Sequence, residues 1–213
     1  MQADIALPTR IPVYLLTGYL GSGKTTLLAA WLQDKELAES ALIINEIGEV
    51  GLDQHVLSGM SESAALVANA CICCTGLPGL EQALADIFWA RLQRKMTPFT
   101  NVIIETTGLA DPTPITVLFN TDALLRERYR LAGIVTTLSA TSGLQVLARH
   151  SEAVSQVRTA NLVIVTKTDM VAEADVSALQ LAVRTLNPAA ALVTSAKASL
   201  HAQTMLALLA ENT

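Results

Sequence analysis

A loop with three glycines stands between an apolar run and a helix-forming run near the start of this chain. From Gly18 to Thr25 it reads Gly-Tyr-Leu-Gly-Ser-Gly-Lys-Thr, which fits the pattern Gly-x-x-x-x-Gly-Lys-[Ser/Thr]. Glycine lets the backbone wrap closely around an anion with its N–H groups pointing inward, and the following helix adds the positive end of its dipole. A simple glycine-rich turn is the alternative. The pattern predicts a nucleoside triphosphate site formed by Gly18, Gly21, Ser22, Gly23, Lys24, Thr25 and Thr26.

Several side chains around this loop have a predicted chemical role. Lys24 should reach the β- and γ-phosphates, and the Thr25 hydroxyl should bind Mg²⁺. Farther along, the apolar run Val102-Ile-Ile ends in Glu105, and Gly108 follows three residues later. A carboxylate at such a strand end holds the magnesium shell or orients the attacking water, and a nearby glycine N–H senses the γ-phosphate. We therefore predict Lys24, Glu105 and Gly108 as the catalytic group, with a solvated strand-end Glu as the alternative.

Short apolar runs alternate with amphipathic stretches along the 213 residues. Such alternation is typical of a parallel sheet covered by helices. Strands are predicted near 11–17, 41–45, 101–105, 133–138, 162–166 and 191–194. Helices are predicted near 24–34, 78–95, 114–120, 151–159, 172–186 and 200–210, and 46–79 is predicted to be a long irregular stretch of functional importance. The predicted fold is α/β, a P-loop NTPase with a mostly parallel central sheet and helices on both faces, with residues 1–10 as a tail and 11–213 as a single domain.

Composition narrows the class of protein further. No apolar run reaches the ~18 residues of a membrane span, and the first ten residues lack the pattern of a secretory signal. The formal net charge of −5 disfavours nucleic acid as a partner, because binding to a phosphate backbone needs a basic surface. We interpret Arg126, Arg128 and Arg130 as a solvated helix face, and Trp31 and Trp89 as core residues. A cytoplasmic protein without nucleic-acid or membrane partners is expected.

Polar segments also follow the last two predicted strands. Thr166-Lys-Thr-Asp169 closes one strand, and Ser195-Ala-Lys197 closes the other. The carboxylate of Asp169 can accept from N1 and the 2-amino group of guanine together, a pairing that adenine does not offer, while the stem of Lys167 covers the base. A backbone N–H within Ser195, Ala196 and Lys197 would contact the guanine oxygen. The order and strand-end position of these segments favour GTP over ATP.

The three cysteines of the chain, Cys71, Cys73 and Cys74, all fall within four residues. An odd, clustered set is a poor disulfide framework, whereas thiolates are soft ligands for Zn²⁺ or a similar ion. An extended backbone would point Cys71 and Cys73 to the same side and Cys74 to the other. Such an incomplete site suits reversible metal binding. A set of small buried residues is the alternative.

Acidic residues follow the second predicted strand, in the segment Asn45-Glu-Ile-Gly-Glu-Val-Gly-Leu-Asp53. P-loop GTPases carry their first nucleotide-dependent switch at this place. We predict Glu49 as a ligand of the transition metal held by the cysteines and Asp53 as part of the magnesium shell. A solvated acidic loop is the alternative for each of them.

Four segments together resemble the CobW-type GTPases, which are relatives of the nickel-insertion GTPases HypB and UreG. These segments run from Gly18 to Thr26, Asn45 to Val50, Cys71 to Cys74 and Glu105 to Pro112. The resemblance implies GTP hydrolysis coupled to delivery of zinc, cobalt or another metal to a client metalloprotein, with the metal bound at the cysteine segment. The cofactors expected on this basis are GTP, Mg²⁺ and Zn²⁺, with Co²⁺ or Ni²⁺ as the other candidate metals. Slow intrinsic turnover and a nucleotide-dependent homodimer are also expected.

The chain departs from this family's pattern in several places. Ala70 stands where Gly often precedes the first cysteine, Ser139 where Asp is common, and Thr166 where the base-reading motif usually begins with Asn. The last change removes an amide that braces the phosphate loop and base site, which puts GTP affinity in doubt. The C-terminal domain of most relatives is expected to be absent. Two other functions fit parts of the sequence, namely a P-loop kinase using ATP on a small molecule and a non-catalytic metal or nucleotide sensor.

Overall fold

A computed structural model describes residues 10–44, 65–66 and 72–211 of the chain. The strands are β1 (Ile11–Thr17), β2 (Ser40–Ile44), β3 (Ala65–Leu66), β4 (Asn101–Glu105), β5 (Tyr129–Ser139), β6 (Leu162–Thr166) and β7 (Ala191–Ser195). The helices are α1 (Lys24–Trp31), α2 (Ile72–Leu92), α3 (Thr113–Thr121), α4 (Ala123–Arg128), α5 (Gly143–Arg149), α6 (Ser151–Thr159), α7 (Glu173–Leu186) and α8 (Ala202–Glu211), and a 3₁₀ turn covers Thr168–Met170. Within the described ranges, no helix combines the length and apolar character needed to cross a membrane.

The strands form one parallel sheet in the order β3-β2-β4-β1-β5-β6-β7. β1 lies at its centre, where Leu16 is opposite Glu105 of β4 and also opposite Val135 of β5. In a parallel sheet the carboxyl ends of neighbouring strands meet at one edge, which is where open α/β sheets bind ligands. The loops after β1, β4, β6 and β7 therefore begin at the same edge.

The two faces of the sheet are covered by different helices. Val13 and Leu15 of β1 are buried in a cluster that includes residues of α2, α3 and α4. The intervening Leu16 belongs to a second cluster, formed with α1 and α8. A third cluster packs β6 against α6 and α7. Burial on both faces explains why the strands read as nearly continuous apolar runs. The predicted α/β fold with helices on both faces is confirmed.

Parts of the predicted element pattern are wrong. The second helix begins at Ile72, although the sequence pattern places its start near 78, and it continues through Pro78. The sequence pattern also misses β3, α4 and α5, and it begins β5 at 133 rather than at Tyr129. Short elements escape prediction because they contain too few residues to show a period. α4 has six residues and is defined instead by its cap, since Asp122 Oδ1 accepts from Leu125 N at 2.7 Å.

The two tryptophans lie in different environments. Trp31 is fully buried, and its Nε1 donates to Leu200 O at 2.7 Å, so its assignment to the core is confirmed. Trp89 is 43% exposed, and its assignment to the core is wrong. Its ring meets Phe88 edge-on, and the guanidinium of Arg128 lies 4.8 Å from its centroid and 4.1 Å from that of Phe88. Arg128 is therefore a cation–π partner of α2 and not part of a solvated face, as the sequence suggested.

Candidate nucleotide site

The phosphate loop joins β1 to α1 through backbone that glycine adopts most readily. Gly18, Gly21 and Gly23 have φ angles of 137°, 71° and 93°, which are unfavourable for residues with a side chain. A Cβ on Gly18 would also lie 2.4 Å from Thr137 O, so this position has no room for one. α1 then begins at Lys24, as the sequence pattern predicts. The loop therefore has the strand–loop–helix arrangement that a phosphate site requires.

Lys24 is almost buried, with 9% of its surface exposed. Its Nζ donates to Gly18 O at 2.8 Å and reaches Tyr19 O at 3.5 Å. These bonds hold the ammonium group over the loop to which it belongs. A buried cation with carbonyl partners at this place can exchange them for phosphate oxygens, which form stronger, charge-assisted hydrogen bonds.

Thr25 and Glu105 meet at the carboxyl edge of the sheet. Thr25 Oγ1 donates to Glu105 Oε1 at 2.8 Å, and the Glu105 side chain is buried. Sheet order brings them together, because Glu105 ends β4 and β4 pairs directly with β1. A hydroxyl and a carboxylate side by side are the hard oxygen ligands that Mg²⁺ prefers. These two residues therefore fit the predicted magnesium ion.

A cavity of about 340 Å³ opens beside this pair. Gly108 borders it and lies so close to the phosphate loop that a Cβ would meet Leu20 N at 2.5 Å. The cavity brings together eight of the predicted site residues, namely Gly21, Gly23, Lys24, Thr25, Thr26, Glu105, Gly108 and Lys167. Its size is in the range of small-molecule sites. Its lining of glycines, hydroxyls and a buried amine suits a polyphosphate.

Gly18 and Ser22 do not line this cavity. The Ser22 hydroxyl shares a hydrogen bond of 2.7 Å with Thr137 Oγ1 on β5, and Ser22 O accepts from Thr166 Oγ1 on β6 at 2.6 Å. The Ser22 side chain therefore anchors the phosphate loop to the sheet, and its contact with nucleotide remains a prediction. No sequence signal distinguishes Thr137, because a threonine in a buried strand is common and its partner is 115 residues away.

Thr166 contacts the phosphate loop although it stands where the family usually has Asn. The change from Asn removes an amide that braces the loop and base site, which puts GTP affinity in doubt. In the structure the buried Thr166 hydroxyl donates to Ser22 O, at 2.6 Å. The Thr side chain therefore retains a brace to the loop, and its single O–H is used in doing so.

A second cavity, of about 240 Å³, extends from Gly23 and Thr26 to the ends of β6 and β7. Asp169 lies at its edge, and its Oδ1 accepts from Lys197 N at 3.3 Å. The remaining lining residues are Leu27, Thr166, Lys167, Met170, Lys197 and Ala198. The position and largely apolar lining of this cavity suit a nucleobase, with Asp169 as its hydrogen-bonding group.

Backbone geometry at this second cavity is unusual for residues with side chains. Lys167 and Lys197 have φ angles of 56° and 49°, in the left-handed region. Lys167 Nζ donates to Gly21 O at 2.8 Å, so its stem crosses from β6 to the phosphate loop beside the cavity. The predicted residues Ser195 and Ala196 do not line the cavity, whereas Lys197 does.

The predicted transition-metal site lies largely outside the described residues. These do not include Glu49, Asp53 or Cys71, and only the backbone of Cys73 and Cys74 is described. That backbone is helical, because α2 begins at Ile72, so the prediction of an extended cysteine segment is wrong for these two residues. Adjacent residues of a helix point about 100° apart. Elsewhere in the described ranges, no group of three or more His, Cys, Asp or Glu side chains is placed to hold a metal ion.

The fold and the two cavities define a P-loop domain of the nucleotide-binding class. The chain belongs to the CobW/HypB/UreG family, since residues 12–194 match the profile of that family's nucleotide-binding domain. The resemblance predicted from the four sequence segments is thereby confirmed.

Two relatives are similar to this chain over most of its length. The zinc chaperone YjiA of Escherichia coli is 38% identical over 165 residues, which is 78% of this chain and 52% of that protein. The zinc-regulated GTPase metalloprotein activator 1 of Schizosaccharomyces pombe is 30% identical over 188 residues, which is 83% of this chain and 44% of that protein. This chain therefore spans about half the length of these relatives.

Solved structures agree with this assignment. The Zn(II)-bound YjiA GTPase from E. coli superposes with a TM-score of 0.65 at 31% identity, covering 86% of this chain and 57% of that one. The hydrogenase maturation factor HypB from Archaeoglobus fulgidus gives a TM-score of 0.59 at 18% identity, covering 95% of this chain and 89% of that one. The second comparison supports the fold alone.

Proposed function

We propose that this domain binds and slowly hydrolyses Mg²⁺-GTP in the cytoplasm, and that its nucleotide state is coupled to the binding and transfer of a transition metal to a client metalloprotein. The contact between Thr25 and Glu105 beside the buried Lys24 carries the nucleotide part of the proposal. It supports the proposal because two hard oxygen atoms that suit Mg²⁺ and a buried ammonium group that suits phosphate lie at one cavity. The relatives named as zinc chaperones and zinc-regulated activators support the metal part, with zinc as the first candidate. Cobalt is the second candidate.

In the proposed hydrolysis step, four residues of the cavity have assigned tasks. Thr25 and Glu105 would hold Mg²⁺, which neutralises charge on the β- and γ-phosphates when bound. Lys24 contacts the same phosphates from the loop, and the Gly108 backbone N–H contacts the γ-phosphate. The Glu105 carboxylate also accepts a hydrogen bond from the attacking water. Such catalysis works by positioning and charge stabilisation, and slow turnover is usual when no arginine finger takes part.

Recognition of guanine is assigned to the second cavity. Asp169 accepts from guanine N1 and the 2-amino group, and the carboxylate is already oriented by Lys197 N at 3.3 Å. The Lys167 stem covers one face of the base, because its Nζ is fixed at Gly21 O. An adenine base offers no paired donors to Asp169, so ATP is the poorer ligand.

The metal is proposed to bind at Cys71, Cys73 and Cys74, with Glu49 as a further ligand. Chain continuity connects this site to the nucleotide, because Ile44 at the end of β2 lines the phosphate cavity and Glu49 follows five residues later. A change at the γ-phosphate therefore acts at the cavity that Ile44 lines, and the segment that carries Glu49 follows Ile44 directly in the sequence. Three thiols in four residues also suit a reducing compartment such as the cytoplasm.

Calorimetry on the full chain tests the coupling. Zn²⁺, Co²⁺ and Ni²⁺ are titrated into the GDP form and into a form that carries a non-hydrolysable GTP analogue. We expect metal affinity to differ between the two forms by about 5–150-fold, equivalent to ~1–3 kcal/mol of coupling. By linkage, saturating metal must change the affinity for the GTP analogue by the same factor. Identical metal affinities in the two forms would mean that the metal site and the nucleotide site are not coupled. That result would contradict the proposed metal-delivery function.

A matched variant separates delivery from a structural metal site. The combined change Cys71→Ser, Cys73→Ser and Cys74→Ser should remove metal binding and leave GTP binding intact, because the described residues already form three buried apolar clusters that can support the fold without a metal. Unfolding of this variant would indicate a structural metal instead. Measuring GTP turnover with and without metal then distinguishes a metal-delivery GTPase from a non-catalytic sensor, which would show none.

A further inference from the structure

Helix α6 contacts the loop that follows β4 through two neighbouring side chains. Gln156 is completely buried, and its Nε2 donates to Gly108 O at 3.1 Å and to Ala110 O at 2.9 Å. Beside it, Ser155 Oγ donates to Asp111 Oδ1 at 2.7 Å. Three of the four residues from Gly108 to Asp111 are therefore bonded to one helix. We refer to these four residues as the Gly108 loop.

The loop determines the orientation of the Gln156 amide. Both partners of this side chain are carbonyl oxygens, which only accept, so the amide must present its NH₂ group to them. Gln156 Oε1 is then left buried without a hydrogen-bond partner among the described residues. Buried acceptors without partners are rare because they are unfavourable. At Gln156 an unpaired buried oxygen accompanies two hydrogen bonds from the same amide to the Gly108 loop. This arrangement indicates a specific role for Gln156.

Helix α6 is itself fixed on both sides. Thr136 Oγ1 on β5 donates to Gln156 O at 2.7 Å, which holds the helix to the sheet. At its start, the ring of His150 stacks on Tyr19 of the phosphate loop with centroids 4.5 Å apart, and Tyr19 Oη lies 3.0 Å from His150 Nδ1. The helix therefore contacts both the phosphate loop and the Gly108 loop.

We infer that Gln156, assisted by Ser155, is a positioning residue that fixes the Gly108 loop at the phosphate cavity. The bonds from Gln156 to the Gly108 and Ala110 carbonyls restrain the planar peptides that follow Gly108, and so hold Gly108 itself, whose N–H is assigned to the γ-phosphate, at the cavity. Leu20 of the phosphate loop packs against Gly108. The Gly108 loop therefore lies between Leu20 and α6. A donor that is oriented before the γ-phosphate arrives binds it without the entropic cost of ordering. This role rests on the proposed GTP chemistry and concerns how a triphosphate is distinguished from a diphosphate.

The test compares Gln156→Met with the wild-type chain. Methionine has nearly the same length and volume but no donor, so both bonds to the loop are lost. Affinities for GDP and for a non-hydrolysable GTP analogue, together with kcat and KM for GTP, are measured. We expect a loss of roughly 5- to 30-fold in affinity for the GTP analogue, the size expected for one or two hydrogen bonds, and less than about twofold for GDP. We also expect a lower kcat.

Two further variants make the result interpretable. Thr159→Val is the control, because the Thr159 hydroxyl bonds only within α6, to Ser155 O and Gln156 O; both nucleotide affinities should be unchanged. Ser155→Ala removes a solvent-facing contact, and we expect it to weaken the GTP analogue by about fivefold while sparing GDP. If Gln156→Met does not fold, Ser155→Ala decides the matter. Equal losses for GDP and the GTP analogue, or no loss, would overturn the inference. Failure of the wild-type chain to bind the GTP analogue would instead overturn the proposed function.

Discussion

Thr25 and Glu105 are 80 residues apart in the chain, yet the Thr25 hydroxyl donates to the Glu105 carboxylate at 2.8 Å. The two side chains lie on different elements, one at the start of α1 and the other at the end of β4. Their contact exists only because β1 and β4 are neighbours in the sheet. It brings a neutral and an anionic oxygen atom to one point of the cavity beside the phosphate loop.

The first prediction concerns this pair. Glu105→Gln keeps the shape of the side chain and an acceptor for Thr25 but removes the negative charge that attracts Mg²⁺. We expect GTP turnover to fall by about 10²-fold, the usual effect of removing one group that stabilises charge in the transition state. Turnover measured over a series of Mg²⁺ concentrations should also need more Mg²⁺ to reach half its maximum. Thr25→Ser retains the hydroxyl and is the control. An unchanged Mg²⁺ requirement in Glu105→Gln would remove Glu105 from the magnesium site.

A second prediction addresses the choice of base. Asp169→Asn should weaken GTP by roughly 1.5–3 kcal/mol, since hydrogen bonds to a charged group are lost, and should leave ATP almost unaffected. The new amide can donate to the 2-oxo group of xanthine, so the same variant should bind XTP better than the wild-type chain does. Competition of GTP, ATP and XTP for a fluorescent GTP analogue measures all three affinities. Equal weakening of GTP and ATP would contradict guanine recognition and would favour an ATP-dependent enzyme.

Thr166 gives a third prediction, about the stability of the phosphate loop. Thr166→Val removes the bond to Ser22 O with little change of shape. It leaves a carbonyl without its buried donor, and we expect ~1–3 kcal/mol of lost stability. Both GDP and GTP should bind more weakly, because the loop contacts the phosphates common to both. Thr166→Ser keeps the hydroxyl and should behave nearly as the wild type in thermal unfolding with and without GDP. A fully stable Thr166→Val variant would show that the brace is dispensable.

The fourth prediction concerns acid stability at the Gly108 loop. Partial burial raises the pKa of Asp111, but hydrogen bonds from the Thr113 backbone, the Ser155 hydroxyl and the Thr113 hydroxyl outweigh it, so the pKa is lowered overall. A lowered carboxyl pKa stabilises the fold above the unfolded-state value of about 3.9, and this contribution is lost as the pH falls through the lower folded-state pKa.

In Asp111→Asn the free energy of unfolding should therefore change less steeply with pH below about pH 4 than in the wild type. Near neutral pH the two slopes should be almost the same. Thermal unfolding of both forms over a pH series measures these slopes. Ser155→Ala removes one of the three hydrogen bonds and should give an intermediate slope. Parallel curves for Asp111→Asn and the wild type in the acid range would contradict the assignment.

Much of the fold follows from local sequence. The strands at 11–17, 101–105 and 162–166 agree with their predicted bounds, because buried parallel strands are apolar throughout and end at polar residues. The helix after the phosphate loop begins where the Gly-Lys-Thr pattern places it. The start of α2 was predicted wrongly, because proline is typical of a first helical turn and Pro78 here lies inside the helix. The helical backbone of Cys73 and Cys74 was missed for the same reason.

The sequence by itself determined that this chain has a glycine-rich loop between a strand and a helix, an acidic strand end and a Thr-Lys-Thr-Asp segment after a later strand, because each depends on residue types within a few positions of one another. Only the tertiary structure decided which distant side chains hold these segments in place. Ser22 anchors the loop to Thr137 and Thr166, and Gln156 holds Gly108 from 48 residues away. Such pairs depend on which strands and helices are neighbours in space. Hydrophobic periodicity records which face of an element is buried, but it does not record which partner covers that face.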